Sequence, residues 1–262
     1  MKYYVVDSFT DHVFGGGPAA VMILPRWLPD ETMQNIAMEN NLADTAFAVK
    51  AGDDYDLRWF MPEAEINMNG HATLAAAYII FRFYEPERGS VRFRTKSGDL
   101  IVTRDGDWLE LELPAVRVAP YPFSDAMRRA LGVVPKETYF GQNLLFVLED
   151  EAAVAVLRPD FEQMKALPEG QGCFVTARAP EGADYDIVGR TFWPKMGVNE
   201  DPVCGNMHCN LAPFWAERLG RDTLVSHQLS KRGAVVKCTA CGDRVKLKGQ
   251  AALFAAADIF VE

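Results

Sequence analysis

The sequence predicts an α+β fold made twice: two pseudo-symmetric domains, each a curved, mainly antiparallel sheet or barrel around one central helix. Three observations carry this expectation. The pattern R-x-F-x-P occurs as Arg58-Trp59-Phe60-Met61-Pro62 and again as Arg190-Thr191-Phe192-Trp193-Pro194. Each copy leads through an acidic segment to Asn69-Gly70-His71 or Cys204-Gly205-Asn206, and then to an apolar helical stretch, Ala72 to Phe83 or His208 to Leu219. Each half next supplies a glycine-led hairpin. Such a repeat dictates architecture, because each copy brings the same apolar faces to bury.

Taken in order, Tyr3 to Phe9 reads as a strand, and Val21-Met22-Ile23-Leu24 as another after the run Gly15-Gly16-Gly17. Asp30 to Glu39 has the amphipathic spacing of a peripheral helix. After the first central helix, Gly98 to Val102 turns at Asp105-Gly106 into Asp107 to Leu111, with the two-residue alternation and Asp-Gly turn of a hairpin. Pro114, Pro120 and Pro122 interrupt the pattern and mark the seam, giving domains 1–116 and 117–262, with the last strand free to return to the first. In the second half, Asp125 to Leu131 and Phe161 to Leu167 read as peripheral helices. A second hairpin runs from Gly233 to Lys237 and, after Gly242, from Asp243 to Leu247. Many short strands around one long apolar helix per half imply a sheet curved about that helix.

With 262 residues, 49% hydrophobic and 24% charged, the chain can bury a large core. A net charge of −9 and a pI near 5.1 oppose sequence-independent attraction to nucleic acid or to an anionic membrane surface. No signal-peptide pattern opens the sequence, and its longest apolar run, His71 to Phe81, is too short to span a bilayer. A cytoplasmic protein is therefore expected. Its five cysteines are an odd set better suited to reduced thiols than to a disulfide framework.

The two helix starts are the candidate chemistry. A helix N-terminus offers backbone N–H groups and partial positive charge, so it can hold a carboxylate or a developing enolate. Gly70 and Gly205 let such a ligand approach closely. Both starts are crowded with polar side chains: Glu63, Glu65, Asn69 and His71 in one half, and Glu200, Asp201, Cys204, Asn206 and His208 in the other. If the pseudo-twofold repeat holds, the starts face one another across an interdomain cleft. Two other readings of these residues are weaker. Cys204, His208, Cys209, Cys238 and Cys241 are zinc-like ligand types, but no second C-x-x-C or H-E-x-x-H completes a set, so no metal is expected. The run from Gly15 to Ala20 loosely mimics a dinucleotide fingerprint, but it leads into a strand-like segment rather than a helix.

With these residues in view, the chain resembles the phenazine-biosynthesis PhzF-like family, within the diaminopimelate epimerase fold superfamily. The likeness rests on VDSFTDHVFGGGPAAVMIL at 5–24, NNLADTAFAV at 40–49, RWFMPEAEINMNGHATLAAA at 58–77, GVNEDPVCGNMHCNLAPFW at 197–215, and LSKRGAVVKC through VKLKGQAAL at 229–253. The resemblance implies two barrel-like domains each enclosing a helix, a cleft site, no cofactor, a small anionic carboxylate substrate, proton-transfer chemistry and a homodimer. In the characterised phenazine enzyme, a glutamate in the segment matching Leu42 to Phe47 moves a proton during isomerisation of a dihydro-hydroxyanthranilate. Here that position is Asp44, one methylene shorter. His71 and Asp201 match the family's other polar site positions, while Gly70, Gly205 and Asn206 match amides that receive the substrate carboxylate. Asn69 stands where cysteine-using epimerases and racemases of the superfamily place their first cysteine, and Cys204 where they place their second.

These matches imply catalytic roles for Asp44, His71 and Asp201, and substrate binding by Gly70, Cys204, Gly205 and Asn206. The expected activity is cofactor-independent isomerisation of a small carboxylic acid by acid/base proton transfer. Two alternatives stay open: an epimerase or racemase assisted by Cys204, and a non-catalytic protein that binds a metabolite or a protein partner. Blander roles also exist for the chosen residues. Asp44 can serve a turn, His71 can cap its helix, and Asp201 before Pro202 is a common turn pair. A thiol at a helix start is expected to have a lowered pKa.

Overall fold

The computed structural model describes residues 1–261. The chain separates into two compact units: Met1–Leu113 together with the segment from Lys246 onward, and Pro114–Val245.

In the first unit, strand Lys2–Ser8 pairs antiparallel with Gly17–Leu24, which runs parallel to Asp44–Ala51. Asp44–Ala51 is antiparallel to Asp54–Phe60, and that strand is parallel to Ser90–Thr95. Ser90–Thr95 and Gly98–Asp105 are antiparallel, and the chain then turns back as Trp108–Pro114. Strand Ala251–Asp258 covers the other edge of Lys2–Ser8. The second unit repeats the order. Glu137–Phe140 is antiparallel to Leu144–Val147, which is parallel to Cys173–Arg178. Cys173–Arg178 is antiparallel to Ile187–Phe192, which is parallel to Thr223–Gln228, and Ala234–Cys241 follows antiparallel. The parallel steps fall where helices cross over, because parallel neighbours cannot be joined by a tight turn. The fold is the α+β, epimerase-like arrangement expected, with parallel pairs inside a mainly antiparallel sheet.

Strand residues alternate as a one-sided sheet requires. In Trp108–Pro114, Leu109, Leu111 and Leu113 are buried while Trp108, Glu110 and Glu112 are partly exposed. Both hairpins turn through a left-handed glycine, Gly106 at φ 60° and Gly242 at φ 69°. Helix Gly70–Ile79 is buried from His71 to Ala77 and again at Ile79. It packs against strands Lys2–Ser8, Gly17–Leu24, Asp44–Ala51, Gly98–Asp105 and Ala251–Asp258. An all-apolar helix needs such all-round cover. It continues as a π-helical turn, Ile80–Tyr84, closed by the Glu85 amide on the Ile80 carbonyl at 2.7 Å. The second central helix, Gly205–Leu219, packs on strands Thr223–Gln228 and Ala234–Cys241 and stops at Gly220, φ 67°. Peripheral helices occupy Asp30–Asn40, Asp125–Leu131 and Phe161–Lys165, with a further short one at Glu151–Val156.

The repeated R-x-F-x-P proves to be a clamp. Arg58 forks onto Glu65 through Nε and Nη2 at 2.7 and 2.9 Å, and its guanidinium lies 5.2 Å from the Phe60 ring centre. Arg190 forks onto Glu200 at 2.7 and 3.0 Å and lies 5.1 Å from the Phe192 ring centre. Each arginine thus ties the strand before a central helix to the acidic segment leading into that helix. Among the described residues, no helix is long and apolar enough to cross a membrane.

Candidate active site

The first helix start is built around Asn69. Its backbone is extended, and its Oδ1 accepts the Ala72 amide at 2.8 Å. Thr73 donates its hydroxyl back to the Asn69 carbonyl at 2.5 Å. This capping begins the helix at Gly70, ahead of the expected Ala72. Asn69, not His71, is the capping residue. His71 is 5% exposed, and its Nε2 lies 3.2 Å from Asp44 Oδ2. Ser8 Oγ, at the end of the first strand, donates to the His71 carbonyl at 2.9 Å.

Asp44 is the first residue of its strand and stands opposite Ala19 in the parallel pairing. Its carboxylate is buried, and its Oδ1 has no hydrogen-bond partner among the described residues. Buried acceptors are nearly always satisfied, so this orphan oxygen marks a place where a donor is wanted. The glycine run lies beside the same strand end. A Cβ on Gly16, at φ 52°, would stand 1.9 Å from the Ser8 carbonyl, and Gly17 begins a strand, not a helix.

The second start is capped by Cys204, whose Sγ accepts the Met207 amide at 3.3 Å. Asn69 and Cys204 are therefore equivalent helix caps, one an asparagine and one a cysteine. The lowered thiol pKa expected at a helix start is not what the surroundings produce. Burial pushes the Cys204 thiol well up, and the nearby Asp201 charge adds to this; hydrogen bonds from Met207, Trp193 and Thr191 offset only part. Asp201 Oδ1 accepts the Val203 amide at 3.1 Å, so this carboxylate also shapes the loop before the helix. Gln228 accepts from the Cys204 amide and donates to the Asp201 carbonyl. His208 is fully buried, with Nδ1 2.7 Å from the Cys204 carbonyl and Nε2 3.0 Å from Ser226 Oγ. Nδ1 therefore carries the proton and Nε2 accepts. Burial pulls the His208 pKa down to about 4, only partly countered by its bond to the Cys204 carbonyl.

The expected residues thus gather in two sets: Asp44, Gly70 and His71 in the first unit, and Asp201, Cys204, Gly205 and Asn206 in the second. Glu65 and Glu200, crowded into the same sequence segments, are held by the arginine clamps. The pseudo-symmetry is incomplete at the acid. Phe60 pairs with Thr45 and Phe192 with Cys173, so the counterpart of Asp44 is Gly172. A Cβ there would meet the Trp193 ring at 2.4 Å. Gln228, Ser226 and Ser8 were not picked out from the sequence. The available signal was Ser226-x-Gln228, two polar residues on one face at the end of a strand.

All five cysteines are free, and among the described residues no three His, Cys, Asp or Glu side chains converge as metal ligands. A recess of about 600 Å³ in the first unit lies by the far end of the central helix, lined by Tyr78, Phe81, Arg82 and Arg104 among others. Its guanidiniums are occupied: Arg82 donates to the Tyr78 hydroxyl, and Arg104 donates to the Pro86 carbonyl while lying over the Phe81 ring.

A duplicated helix-in-sheet unit with a capped, glycine-opened helix start in each copy defines the class of isomerases built on the diaminopimelate epimerase-like fold. A family profile described as "Phenazine biosynthesis-like protein" matches residues 6–257, and the chain belongs to that family. It is 44% identical over 254 residues to an uncharacterized isomerase of Pseudomonas aeruginosa, covering 97% of this chain and 96% of the relative. A crystal structure of a PhzF-family phenazine biosynthesis protein from Enterococcus faecalis is 45% identical, covers 99% of both chains and superposes with a TM-score of 0.96. A probable proline racemase from Agrobacterium radiobacter, 12% identical, shares the fold with a TM-score of 0.67 over 100% of this chain and 93% of its own. The protein is accordingly an enzyme of the isomerase class.

Proposed function

We propose that the enzyme isomerises a small carboxylic acid without a cofactor, with Asp44 taking a proton from carbon and returning it to a second carbon of the same molecule. The C–H electron pair passes into the substrate as an enolate or its extended equivalent. Reprotonation by the neutral Asp44 completes the shift, so no oxidant or outside proton is consumed. The amides of Gly70 and His71 and of Gly205 and Asn206 are the donors offered to the carboxylate and to the charge that develops on it. Cys204 lines the second start. His71 beside Asp44, and Asp201 at the second start, are the further groups offered for proton movement.

The observation that carries this reading is the buried Asp44 carboxylate, one oxygen 3.2 Å from His71 and the other without a partner among the described residues. The glycine at the equivalent position of the second unit supports a one-sided scheme, with one carboxylate taking and returning the proton. A cysteine-assisted epimerisation is disfavoured, because the Cys204 thiol is buried, raised in pKa and already accepting the Met207 amide. The reading includes the homodimer that the family resemblance implies; sedimentation at micromolar concentration is expected to give about twice the 29.2 kDa chain mass.

The test is solvent exchange. The enzyme, incubated in heavy water with a panel of unsaturated small carboxylic acids, is expected to introduce deuterium into at least one of them with migration of its double bond. Deuterium uptake with inversion at a single carbon would replace isomerisation by epimerisation, double-bond migration without deuterium would mean that Asp44 returns the proton before it exchanges with solvent, and neither migration nor uptake across the panel would favour a binding protein.

A further inference from the structure

We propose that Gln228 is a positioning residue for the second helix start, its carboxamide fixing the loop Asp201 to Cys204 so that the Gly205 and Asn206 amides are aimed at the substrate carboxylate. This rests on the anion-holding role of those amides, and the experiment below separates the two claims.

Gln228 is the last residue of strand Thr223–Gln228, is 1% exposed, and stands opposite Gly189 in the parallel pairing with Ile187–Phe192. Its Oε1 accepts the Cys204 amide at 2.9 Å, and its Nε2 donates to the Asp201 carbonyl at 2.7 Å. One side chain thus joins both ends of the loop. The groups between are claimed as well. The Asp201 amide donates to the Thr191 carbonyl at 3.0 Å, Ser230 Oγ donates to the Pro202 carbonyl at 2.7 Å, and the Val203 amide goes to Asp201 Oδ1. Pro202 has no N–H to offer. The Cys204 carbonyl takes His208 Nδ1, and the Cys204 thiol takes the Met207 amide.

The amides of Gly205 and Asn206 come next in the chain. They sit in the first turn, where the helix has no carbonyl for them. Their direction is set by the Cys204 backbone, and that backbone is held through Gln228. A small angular error at a helix start moves both donors together, so the arrangement tolerates little slack. The bridge needs a side chain that accepts at one atom and donates at the other. Glutamine does this at every pH. Glutamate does it only when protonated, and leucine never does.

The experiment follows the Gly205 and Asn206 amide resonances of isotope-labelled protein as benzoate is added, for the wild type, Gln228→Leu and Gln228→Glu, between pH 5 and 8. In the wild type both amides are expected to shift saturably. Gln228→Leu should weaken benzoate tenfold or more, with the remainder of the spectrum native-like. Gln228→Glu should bind nearly as the wild type does at pH 5 and lose affinity, relative to wild type, as pH rises. The titratable groups facing residue 228, namely Asp201, Cys204 and His208, are common to both proteins and cancel in that ratio. Affinity within twofold of wild type in Gln228→Leu, or a Gln228→Glu profile parallel to wild type, overturns the positioning role alone. Wild-type amides that ignore benzoate overturn the anion-holding role and this inference with it. Should Gln228→Leu fail to fold, the glutamate variant at low pH still decides.

Discussion

Asp44 and Cys204 occupy similar surroundings, buried beside a helix start, yet their free atoms differ. One carboxylate oxygen of Asp44 lacks a partner among the described residues, whereas the Cys204 sulfur is engaged by the Met207 amide. Asp44→Asn keeps the shape but cannot carry a proton, so turnover should fall at least a thousandfold while benzoate affinity stays within a few-fold. Asp44→Glu restores the family's usual residue in a pocket fitted to the shorter one; misplacing the carboxylate by about a bond length should cost activity about tenfold or more. Cys204→Ser retains an acceptor for Met207 and should leave most activity, an outcome that steady-state rates read directly. The sulfur's burial has its own signature. A thiol reagent should label Cys241 alone in the native enzyme, and all five cysteines after denaturation. Rapid native labelling of Cys204 would contradict its placement.

At the scale of elements, the repeat was legible because it lies in residue types: R-x-F-x-P, a glycine two to three residues ahead of an apolar run, and a hairpin turning at a glycine. What those residues do was less legible. The arginine reads as one more charge until Glu65 and Glu200 are seen in its fork, seven and ten residues onward. The early helix starts, at Gly70 and Gly205, follow from side-chain caps that the apolar periodicity does not register. The clamps carry a prediction. Arg190 is 7% exposed and also donates to the Val154 and Leu157 carbonyls, whereas Arg58 is 17% exposed. Arg190→Met, which strands Glu200 and two carbonyls, should lower unfolding free energy by about 3–5 kcal/mol, and Arg58→Met by clearly less, as urea titration will report. His208 supplies a pH dependence. It is held neutral when folded, with a pKa of about 4 against an ordinary 6.5, so the unfolded chain takes up the proton first as pH falls. Its contribution is complete above pH 6.5 and diminishes toward pH 4 by on the order of 3 kcal/mol. His208→Asn keeps a donor for the Cys204 carbonyl but cannot titrate. It should therefore lose less stability than wild type between pH 7 and pH 4.5.

At the scale of the whole chain, the path returns: residues from Lys246 onward belong with the first unit although the second lies between in sequence. Strand Ala251–Asp258 pairs with Lys2–Ser8 along its full length and packs against the central helix Gly70–Ile79. Lys248 pairs with Asp105 and Lys246 with Glu110. The interval 1–113 therefore lacks the strand that satisfies one edge of its first strand and covers part of its buried helix, whereas 114–245 keeps the pairings from Glu137–Phe140 to Ala234–Cys241 and the whole of its central helix, and loses only Arg244–Gly249, the hairpin partner of its last strand. An unpaired edge beside uncovered apolar surface aggregates or stays unfolded. Expressed alone, 114–245 should give a cooperative thermal transition, and 1–113 should not. Joining 246–262 to 1–113 through a flexible glycine-serine linker should restore a cooperative transition, because the missing strand is regained without the second unit. Circular dichroism melts of the three fragments decide this. A cooperative 1–113, or a joined fragment that remains unfolded, would mean that the returning strand is not what completes the first unit.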